Sequence, residues 1–346
     1  MDLRTLGYDS YFEEAFARRA REGTVAGRIA VDYAQDYLVY TEKGELRAEV
    51  PGRLRRALEL GDVAKPAVGD WVVVETHPSP ARSLIVDVLP RRSRLSRKVP
   101  GRTVEEQVVA SNVDVIFLVV AATAGINLRR LERNLTLAHE SGAKPAVILT
   151  KIDLFPEPSK LAAEVEGIAG GAPVHLVSNL TGEGVHEVAD TLRPAQTIVL
   201  VGTSGAGKSS LVNRWLGEER QTVAEVREWD QKGRHTTTHR ELFRLPGGAL
   251  VIDTPGVREL ALWEAEAGLE ETFPEIAELA ALCRFADCRH EREPGCAVVE
   301  AADEGRVEPS RLQAYRKLAR EREELERRKA ERGRIERRRL GQKKVR

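Results

Sequence analysis

A glycine-rich segment in the second half of the chain has the composition of a phosphate-binding loop. Residues Gly202–Ser209 read GTSGAGKS, a complete G-x-x-x-x-G-K-S pattern, directly after the apolar run Thr197–Val201. The glycines let successive backbone N–H groups point at phosphate oxygens, and a helix beginning near Lys208 adds the positive end of its dipole. We expect Lys208 to reach the β- and γ-phosphates of a nucleotide and the Ser209 hydroxyl to bind Mg²⁺. The alternative is a chance match in a glycine-rich turn.

An acidic motif follows this loop by about one strand–helix–strand interval. The run Leu250–Asp253 leads into Asp253-Thr254-Pro255-Gly256, which has the pattern D-x-x-G. A carboxylate there can hold Mg²⁺ through a water, and the Gly256 N–H can meet a γ-phosphate. Alone, the pattern also fits a helix cap or a turn. Its position after the phosphate loop favours one shared nucleotide site.

A third motif indicates which base the nucleotide carries. Residues Thr150–Asp153 read TKID at the end of another apolar run. The Asp153 carboxylate can accept hydrogen bonds from N1–H and the 2-amino group of guanine. Adenine lacks both donors and would leave the carboxylate unpaired, at a cost of about 1–3 kcal/mol. The Lys151 stem would cover the base, and backbone N–H groups of Ser178–Asn179 would face the guanine O6. We therefore predict GTP and GDP as ligands.

The order of these motifs along the chain is rotated. Nucleotide sites of this type usually begin with the phosphate loop and end with the base motif, whereas here Thr150–Asp153 and Ser178–Asn179 precede Gly202–Ser209. We infer a circular permutation, which changes the loop connections and keeps the strand neighbours. The segment after Asp253 then leads into the C-terminal part of the chain. Loss of a γ-phosphate contact can be transmitted there.

All three cysteines of the chain lie close together, with a histidine between them. The spacing is Cys283-x4-Cys288-x-His290-x5-Cys296. Three thiolates and one imidazole form a closed tetrahedral set, which is typical of structural Zn²⁺ and leaves no open position for catalysis. We predict one structural zinc ion; buried free cysteines are the alternative.

Composition limits the classes of protein that the chain can represent. Its 346 residues are 42% hydrophobic, which allows two or three domains and excludes a wholly disordered or fibrous chain. Aromatic residues are sparse at 5%, and 54 Lys and Arg balance 54 Asp and Glu, so overall charge does not indicate a nucleic-acid partner. Neither a membrane-length apolar run nor a signal-like N-terminus is visible. These features predict a cytoplasmic protein with no membrane partner.

The elements that must position these motifs fall into several segments. Five short β-rich runs before residue 92 predict a small barrel of the OB-fold type, and alternating strands and helices from residue 112 predict a parallel sheet covered by helices. We therefore predict an N-terminal helical extension (1–22), an OB-fold barrel (23–92), a basic connector (93–111), a circularly permuted P-loop GTPase domain of the α/β class (112–264) and a helical zinc-binding domain with a basic C-terminal helix (265–346).

Two basic stretches are candidates for RNA contact. The first, around the connector, includes Arg91, Arg92, Arg94, Arg97, Lys98 and Arg102. The second spans residues 327–346, which contain eleven Lys and Arg residues and, as acidic residues, Glu331 and Glu336 alone. A basic helix can lie along an RNA backbone with an affinity that falls as salt rises. Solvated charged surface is the alternative for both, and RNA is favoured for the C-terminal helix.

The motifs in combination closely resemble the RsgA/YjeQ family of small-subunit-dependent GTPases. The resemblance rests on the permuted order, on GRHTTT at 233–238, on DTPGVRE at 253–259 and on the Cys/His cluster. It implies an OB-fold, a permuted GTPase and a zinc domain. It also implies a role in late maturation of the 30S ribosomal subunit, with 16S rRNA as a partner and GTP hydrolysis stimulated by the subunit. One departure is Thr150, where the family usually has Asn.

The catalytic groups are the least defined part of the site. One of the three threonines at 236–238 should complete the Mg²⁺ shell, and we favour Thr237. Many GTPases position water with a Gln after D-x-x-G, but this chain has the apolar Val257. We therefore assign a catalytic role to His235, which precedes the threonines. The alternative is a histidine that contacts ribosomal RNA or stabilises its loop.

Together these interpretations give one functional hypothesis: a monomeric GTPase that binds the 30S subunit in its GTP state and leaves after hydrolysis. Two others stay open, a non-catalytic RNA-binding assembly module and an ATP-dependent kinase or transporter-type ATPase. The catalytic residues assigned are Lys208, His235 and Thr237. The nucleotide-binding residues assigned are Thr150, Lys151, Ile152, Asp153, Ser178, Asn179, Gly202, Thr203, Ser204, Gly205, Ala206, Gly207, Lys208, Ser209, Ser210, Asp253 and Gly256. Ser209 and Thr237 are assigned to Mg²⁺.

Overall fold

One continuous sheet of eleven strands runs through the molecule. The computed structural model describes residues 1–33, 35–52, 65–77, 82–98, 106–122, 126–217, 240–253 and 266–343. Within these residues, a barrel at the N-terminal end and a mostly parallel sheet in the centre share this single sheet. Helices follow at the C-terminal end.

The N-terminal barrel is closed and has five strands. Its strand order is β1-β2-β3-β5-β4, and β4 pairs back onto β1. All neighbours are antiparallel except β3 and β5, which are parallel. Fully buried aliphatic residues such as Ile29, Val39 and Ile85 fill the interior. The strands are β1 (Thr24–Asp32), β2 (Tyr37–Thr41), β3 (Gly44–Glu49), β4 (Trp71–Glu75) and β5 (Ser83–Val88). The predicted OB-fold barrel is confirmed.

The basic connector is a β-hairpin. Strands β6 (Arg94–Lys98) and β7 (Glu106–Ser111) form a two-stranded antiparallel sheet. The two arginines just before this hairpin form ion pairs with other parts of the protein. Arg91 pairs at 2.6 Å with Asp70, whose side chain is fully buried, and Arg92 pairs at 2.6 Å with Asp9. These two side chains therefore stabilise the fold, which weakens the RNA interpretation for the start of the connector.

The central sheet has the order β10-β9-β8-β11-β13-β12. Only β12 runs antiparallel to its neighbour, and β11, which carries the phosphate loop, lies in the middle although it follows β8, β9 and β10 in the chain. This arrangement confirms the predicted permutation. The strands are β8 (Val115–Ala121), β9 (Lys144–Thr150), β10 (Val174–Val177), β11 (Thr197–Val201), β12 (Arg240–Arg244) and β13 (Leu250–Asp253).

Helices cover both faces of the central sheet and build the C-terminal part. The described helices are α1 (Ser10–Ala17), α2 (Leu128–Glu140), α3 (Pro158–Glu166), α4 (Val185–Asp190), α5 (Lys208–Leu216), α6 (Glu266–Thr272), α7 (Pro274–Ala280), α8 (Ala297–Asp303) and α9 (Pro309–Lys343). One hydrophobic core joins the barrel, one face of the sheet and the C-terminal helices, and a second lies on the other face. None of the described helices has the length and apolar character needed to cross a bilayer.

The barrel joins the central sheet through a strand that both share. The last residues of β1, Val31 and Asp32, pair with Glu241 and Arg240 of β12. Beside this junction, Arg28 is 1% exposed. Its guanidinium donates to the carbonyl oxygens of Leu6, Gly69 and Asn112 and to the Thr197 hydroxyl. Burial lowers the pKa of Arg28 to about 10, with Asp114 and Asp70 opposing the shift. The barrel is thus fixed against the strand that leads into the phosphate loop.

Candidate nucleotide site and metal centre

The phosphate loop needs glycine for reasons that the packing shows directly. A Cβ atom at Gly202 would lie 2.2 Å from the carbonyl oxygen of Val119 on the neighbouring strand β8. Gly207 has a φ of 88° and caps the N-terminus of α5. A Cβ at Gly207 would lie 2.7 Å from Nδ2 of Asn179. At Gly202 and Gly207 the loop backbone therefore lies so close to its neighbours that only glycine fits.

Lys208 already lies across the mouth of this loop. Its Nζ donates to the carbonyl oxygens of Gly202 at 2.8 Å and Thr203 at 2.9 Å. An ammonium group in that place, at the first turn of α5, is within reach of phosphates bound in the loop.

Thr150 holds the phosphate loop from the neighbouring strand β9. Its side chain is fully buried, and its hydroxyl donates to the Ala206 carbonyl oxygen at 2.6 Å and lies 3.3 Å from the Val120 carbonyl oxygen. A single hydroxyl proton can serve one of these acceptors at a time, and the shorter contact is to the loop. Thr150 therefore positions the phosphate loop relative to the base motif.

Asn179 makes a second tie between the base motif and the loop. Its Nδ2 donates to the Gly207 carbonyl oxygen at 3.0 Å. Its Oδ1 is buried and has no hydrogen-bond partner within the described parts of the chain. Sequence reasoning expected only backbone contacts here and missed this side chain. It also missed Arg214 of α5, which donates to the Leu180 carbonyl oxygen at 3.1 Å and so holds the same loop.

Asp153 is oriented by Ser178. The fully buried Ser178 donates its hydroxyl to Oδ1 of Asp153 at 2.5 Å and accepts from the backbone N–H of Thr181 at 3.2 Å. The Asp153 residue itself is exposed to solvent. Lys151 adopts a φ of 60°, which turns the chain sharply between β9 and the carboxylate. The base motif therefore presents a fixed carboxylate at the end of the sheet that also carries the phosphate loop.

The two halves of the predicted site converge. Contacts run without interruption from Asp153 through Ser178 and Asn179 to Gly207, the residue before Lys208. Asp253 lies at the end of β13, beside the phosphate-loop strand β11. Gly256, Thr237 and His235 lie outside the described residues, so their assignments stay predictions.

The Cys/His cluster is assembled by the C-terminal helices. The Nδ1 atom of His290 lies 3.5 Å from Sγ of Cys283 and 3.4 Å from Sγ of Cys296, and the two sulfur atoms are 3.8 Å apart. With Cys288, all four ligand atoms lie within 4.8 Å of one another and could hold one metal ion. Cys296 also caps α8, where its Sγ accepts from the Val299 N–H at 3.5 Å.

The loop that carries these ligands has its own support. The Glu293 carboxylate accepts backbone N–H groups of Arg289 at 3.0 Å, Glu291 at 2.8 Å and Arg292 at 3.0 Å. These bonds, led by that from Arg289, lower the pKa of Glu293 to about 2. The positive φ of 58° at His290 places a buried imidazole between the cysteines.

Comparisons with known proteins agree with this geometry. A family model described as RsgA GTPase matches residues 88–263. The small ribosomal subunit biogenesis GTPase RsgA of Opitutus terrae is 47% identical over 330 residues, covering 93% of this chain and 90% of that protein. The protein of the same name from Streptomyces coelicolor is 44% identical over 327 residues, covering 93% of this chain and 87% of its own length.

Two solved structures have a similar fold. YjeQ from Thermotoga maritima is 27% identical with a TM-score of 0.63, covering 86% of this chain and 98% of that one. YloQ, described as a circularly permuted GTPase, is 25% identical with a TM-score of 0.61, covering 88% and 98%. With its permuted sheet, its converging nucleotide motifs and these matches over most of its length, the chain belongs to the RsgA GTPase family.

Proposed function

We propose that this protein hydrolyses GTP during late maturation of the small ribosomal subunit, binding the subunit in its GTP state and leaving after hydrolysis. The observation that carries the nucleotide part is the tie between the base motif and the phosphate loop. Thr150 and Asn179 bond the loop carbonyls of Ala206 and Gly207 at 2.6 and 3.0 Å. The subunit part is supported by relatives at 47% and 44% identity that are named for small-subunit biogenesis.

Guanine selection follows from Asp153. Ser178 occupies one carboxylate oxygen and fixes the orientation of the other. The carboxylate pairs with N1–H and the 2-amino group of guanine, while the Lys151 stem covers the base. The buried Oδ1 of Asn179 is an acceptor beside this position. The proposed nucleotide contacts are Thr150, Lys151, Ile152, Asp153, Ser178, Asn179, Gly202, Thr203, Ser204, Gly205, Ala206, Gly207, Lys208, Ser209, Ser210, Asp253 and Gly256.

The phosphate chemistry uses positioned charge. Lys208 exchanges its two carbonyl partners for β- and γ-phosphate oxygens, which are stronger acceptors for an ammonium group. Ser209 and Thr237 hold Mg²⁺, which offsets the negative charge of the phosphates, and Asp253 supports that shell. His235 orients the attacking water, because Val257 cannot. We propose that the subunit completes this arrangement, so turnover by the free protein is slow.

The metal that fits the Cys/His cluster best is Zn²⁺. Tetrahedral zinc, with Zn–S bonds of about 2.3 Å and a Zn–N bond of about 2.0–2.1 Å, separates sulfur atoms by about 3.8 Å and sulfur from nitrogen by about 3.6 Å. In the cluster, Sγ of Cys283 and Sγ of Cys296 are 3.8 Å apart and lie 3.5 and 3.4 Å from Nδ1 of His290, and all four ligand atoms lie within 4.8 Å of one another. Cys283, Cys288, His290 and Cys296 would hold one structural ion, which would fix α7 against α8.

We further propose that the protein acts as a cytoplasmic monomer and contacts 16S rRNA. The support is the sequence of residues 327–346, in which arginines and lysines predominate. Such a helix is suited to an RNA backbone, with an affinity that depends steeply on salt.

Turnover measurements test the proposed function. GTP hydrolysis is measured with the protein alone and with isolated 30S, 50S and 70S particles. We expect 30S subunits to raise the rate by at least about tenfold, because they supply positioned groups that the free enzyme lacks. No stimulation, or equal stimulation by 50S particles, would contradict the proposal and favour an RNA-binding module in which the nucleotide only sets the shape.

Asp153→Asn tests the base assignment separately. An amide offers a donor where the carboxylate only accepts, so it matches the 2-oxo group of xanthine better than the 2-amino group of guanine. We expect weaker GTP binding by about tenfold or more and a gain in XTP binding, measured by competition. Glu157→Gln, an exposed carboxylate just beyond the motif, is the matched control. Unchanged GTP affinity in Asp153→Asn would remove Asp153 from the site.

A further inference from the structure

A groove of about 310 Å³ separates α2 of the central domain from the long helix α9. Ala314 and Leu318 of α9, both buried, contribute apolar lining. The charged side chains that line the groove are Arg129, Arg133, Lys317, Arg320 and Glu321. Four cations and one anion therefore face a single cleft between two parts of the chain, although the chain as a whole has no net charge.

Two of the four cations have no ion-pair partner among the described residues. Glu321, the single carboxylate of the groove, forms its ion pair with Arg133. The Nε of Arg320 lies 4.0 Å from a carboxylate oxygen of Glu291 and donates to the Arg316 carbonyl oxygen at 3.3 Å. Within the described ranges, neither Arg129 nor Lys317 has an ion-pair partner, and both residues are exposed. The groove thus presents two cations, Arg129 and Lys317, whose hydrogen-bond donors are available to an anion.

The position of the arginines on α2 strengthens this reading. Arg129 and Arg130 follow the N-cap Asn127, and the first turn contains no acidic residue. Positive side chains at a helix N-terminus oppose the helix dipole, whereas acidic ones would stabilise it. A local conflict without an evident packing gain is expected where function requires it. An anion in the groove would relieve the conflict.

We propose that the groove between α2 and α9 binds the phosphodiester backbone of RNA. A polyanion can extend from the groove along α9, where Arg327 and Arg334 are exposed, whereas a single phosphate would contact the groove alone. Arginine forks and a lysine ammonium match phosphate oxygens, and such contacts are independent of base sequence. The inference rests on the proposed function in that the RNA belongs to the small subunit. Binding there would clamp α9 to the central domain.

The test compares charge variants of the full-length protein for binding to an RNA hairpin of arbitrary sequence and to 30S subunits across a salt series. The double variant Arg129→Glu/Lys317→Glu should lose about tenfold or more in hairpin affinity at 0.1 M salt. The neutral Arg129→Gln/Lys317→Gln should reduce the slope of log K against log salt by about two. Lys160→Glu, a charge reversal at an exposed lysine of α3, should change neither quantity. Unstimulated GTP turnover should be equal in all variants.

Three results would overturn the inference. The first is a double variant with wild-type hairpin affinity and salt slope. The second is a loss of 30S affinity without a loss of hairpin affinity, which would assign the groove to an acidic protein surface. The third is an equal loss of hairpin affinity in Lys160→Glu, which would show that the effect comes from the overall charge of the protein and not from the groove. If the wild-type protein does not bind 30S subunits, the proposed function is wrong. The affinity of the variants for the RNA hairpin then tests the groove by itself.

Discussion

The two flanks of the central sheet are joined to their neighbours by different kinds of contact. On the barrel side, β1 pairs with β12 through the backbone, and the buried Arg28 bonds to three carbonyl oxygens and a hydroxyl. On the C-terminal side the contacts are made by side chains, which include residues of the shared hydrophobic core, the Arg311–Glu132 ion pair at 2.8 Å and the His139–Glu271 pair. Backbone pairing fixes one register, whereas contacts between side chains can rearrange. We therefore expect the barrel side to be the more rigid of the two flanks.

The largest effect should come from removing a ligand of the metal cluster. In Cys288→Ser, three ligands remain, and we expect the bound metal to fall from one to zero per chain because a structural site needs its closed set. Metal analysis and limited proteolysis should show cleavage confined to residues 266–343, with the barrel side intact. Retention of one metal per chain would contradict the ligand assignment. Cleavage throughout the barrel would contradict the separation of the two flanks.

A large loss of stability should follow from Arg28→Met. The variant removes the guanidinium donor from the carbonyl oxygens of Leu6 and Asn112 and from the Thr197 hydroxyl, whereas the Gly69 carbonyl keeps the Asn112 side-chain amide as a donor. We expect the free energy of unfolding to fall by about 3 kcal/mol or more, measured by urea denaturation. Arg18→Met removes an arginine whose side chain is 74% exposed and should cost under about 0.5 kcal/mol. Equal losses in both variants would contradict a special role of Arg28.

The smallest effect concerns pH on the C-terminal side. Burial lowers the pKa of His139, although Glu271 opposes the shift. The folded protein therefore binds this proton less readily than the unfolded chain, so stability should fall as pH drops below about 6.5. His139→Gln should weaken this fall between pH 7.5 and 5.5 in urea denaturation. The exposed His186→Gln is the control. A pH dependence that is identical in wild type and His139→Gln would contradict the assignment.

The comparison also shows which features a sequence can predict. The phosphate loop, the base motif and the Cys/His ligands each lie within 14 residues or fewer, so local spacing carries their chemistry. The pairing of Asp32 with Arg240 and the burial of Arg28 depend on segments far apart in the chain. No periodicity marks such contacts. The β6–β7 hairpin was missed for a different reason, since its arginines resembled a solvated linker.

Within the site, the hydrogen bonds that hold the phosphate loop in place are harder to predict from sequence than the nucleotide contacts of the loop. Thr150 looked like a substitute for an amide that binds nucleotide, yet its hydroxyl bonds the Ala206 carbonyl at 2.6 Å. Asn179 was expected to act through its backbone, yet its side chain bonds Gly207 at 3.0 Å. Both are polar residues at strand ends, which is a weak signal. The two side chains reach the phosphate loop only because the folded sheet brings these strand ends close to it.

The shared strand has a practical consequence for anyone who shortens this protein. A fragment that starts at residue 112 would lack β1, and the outer edge of β12 would present unpaired N–H and C=O groups at Glu241 and Arg240. Exposed edges of this kind recruit strands from other molecules and promote aggregation. The same cut would remove Arg28 from Thr197, at the start of the strand that ends in the phosphate loop. A nucleotide affinity measured on such a fragment would therefore reflect the loss of β1 and Arg28 as well as the properties of the nucleotide site.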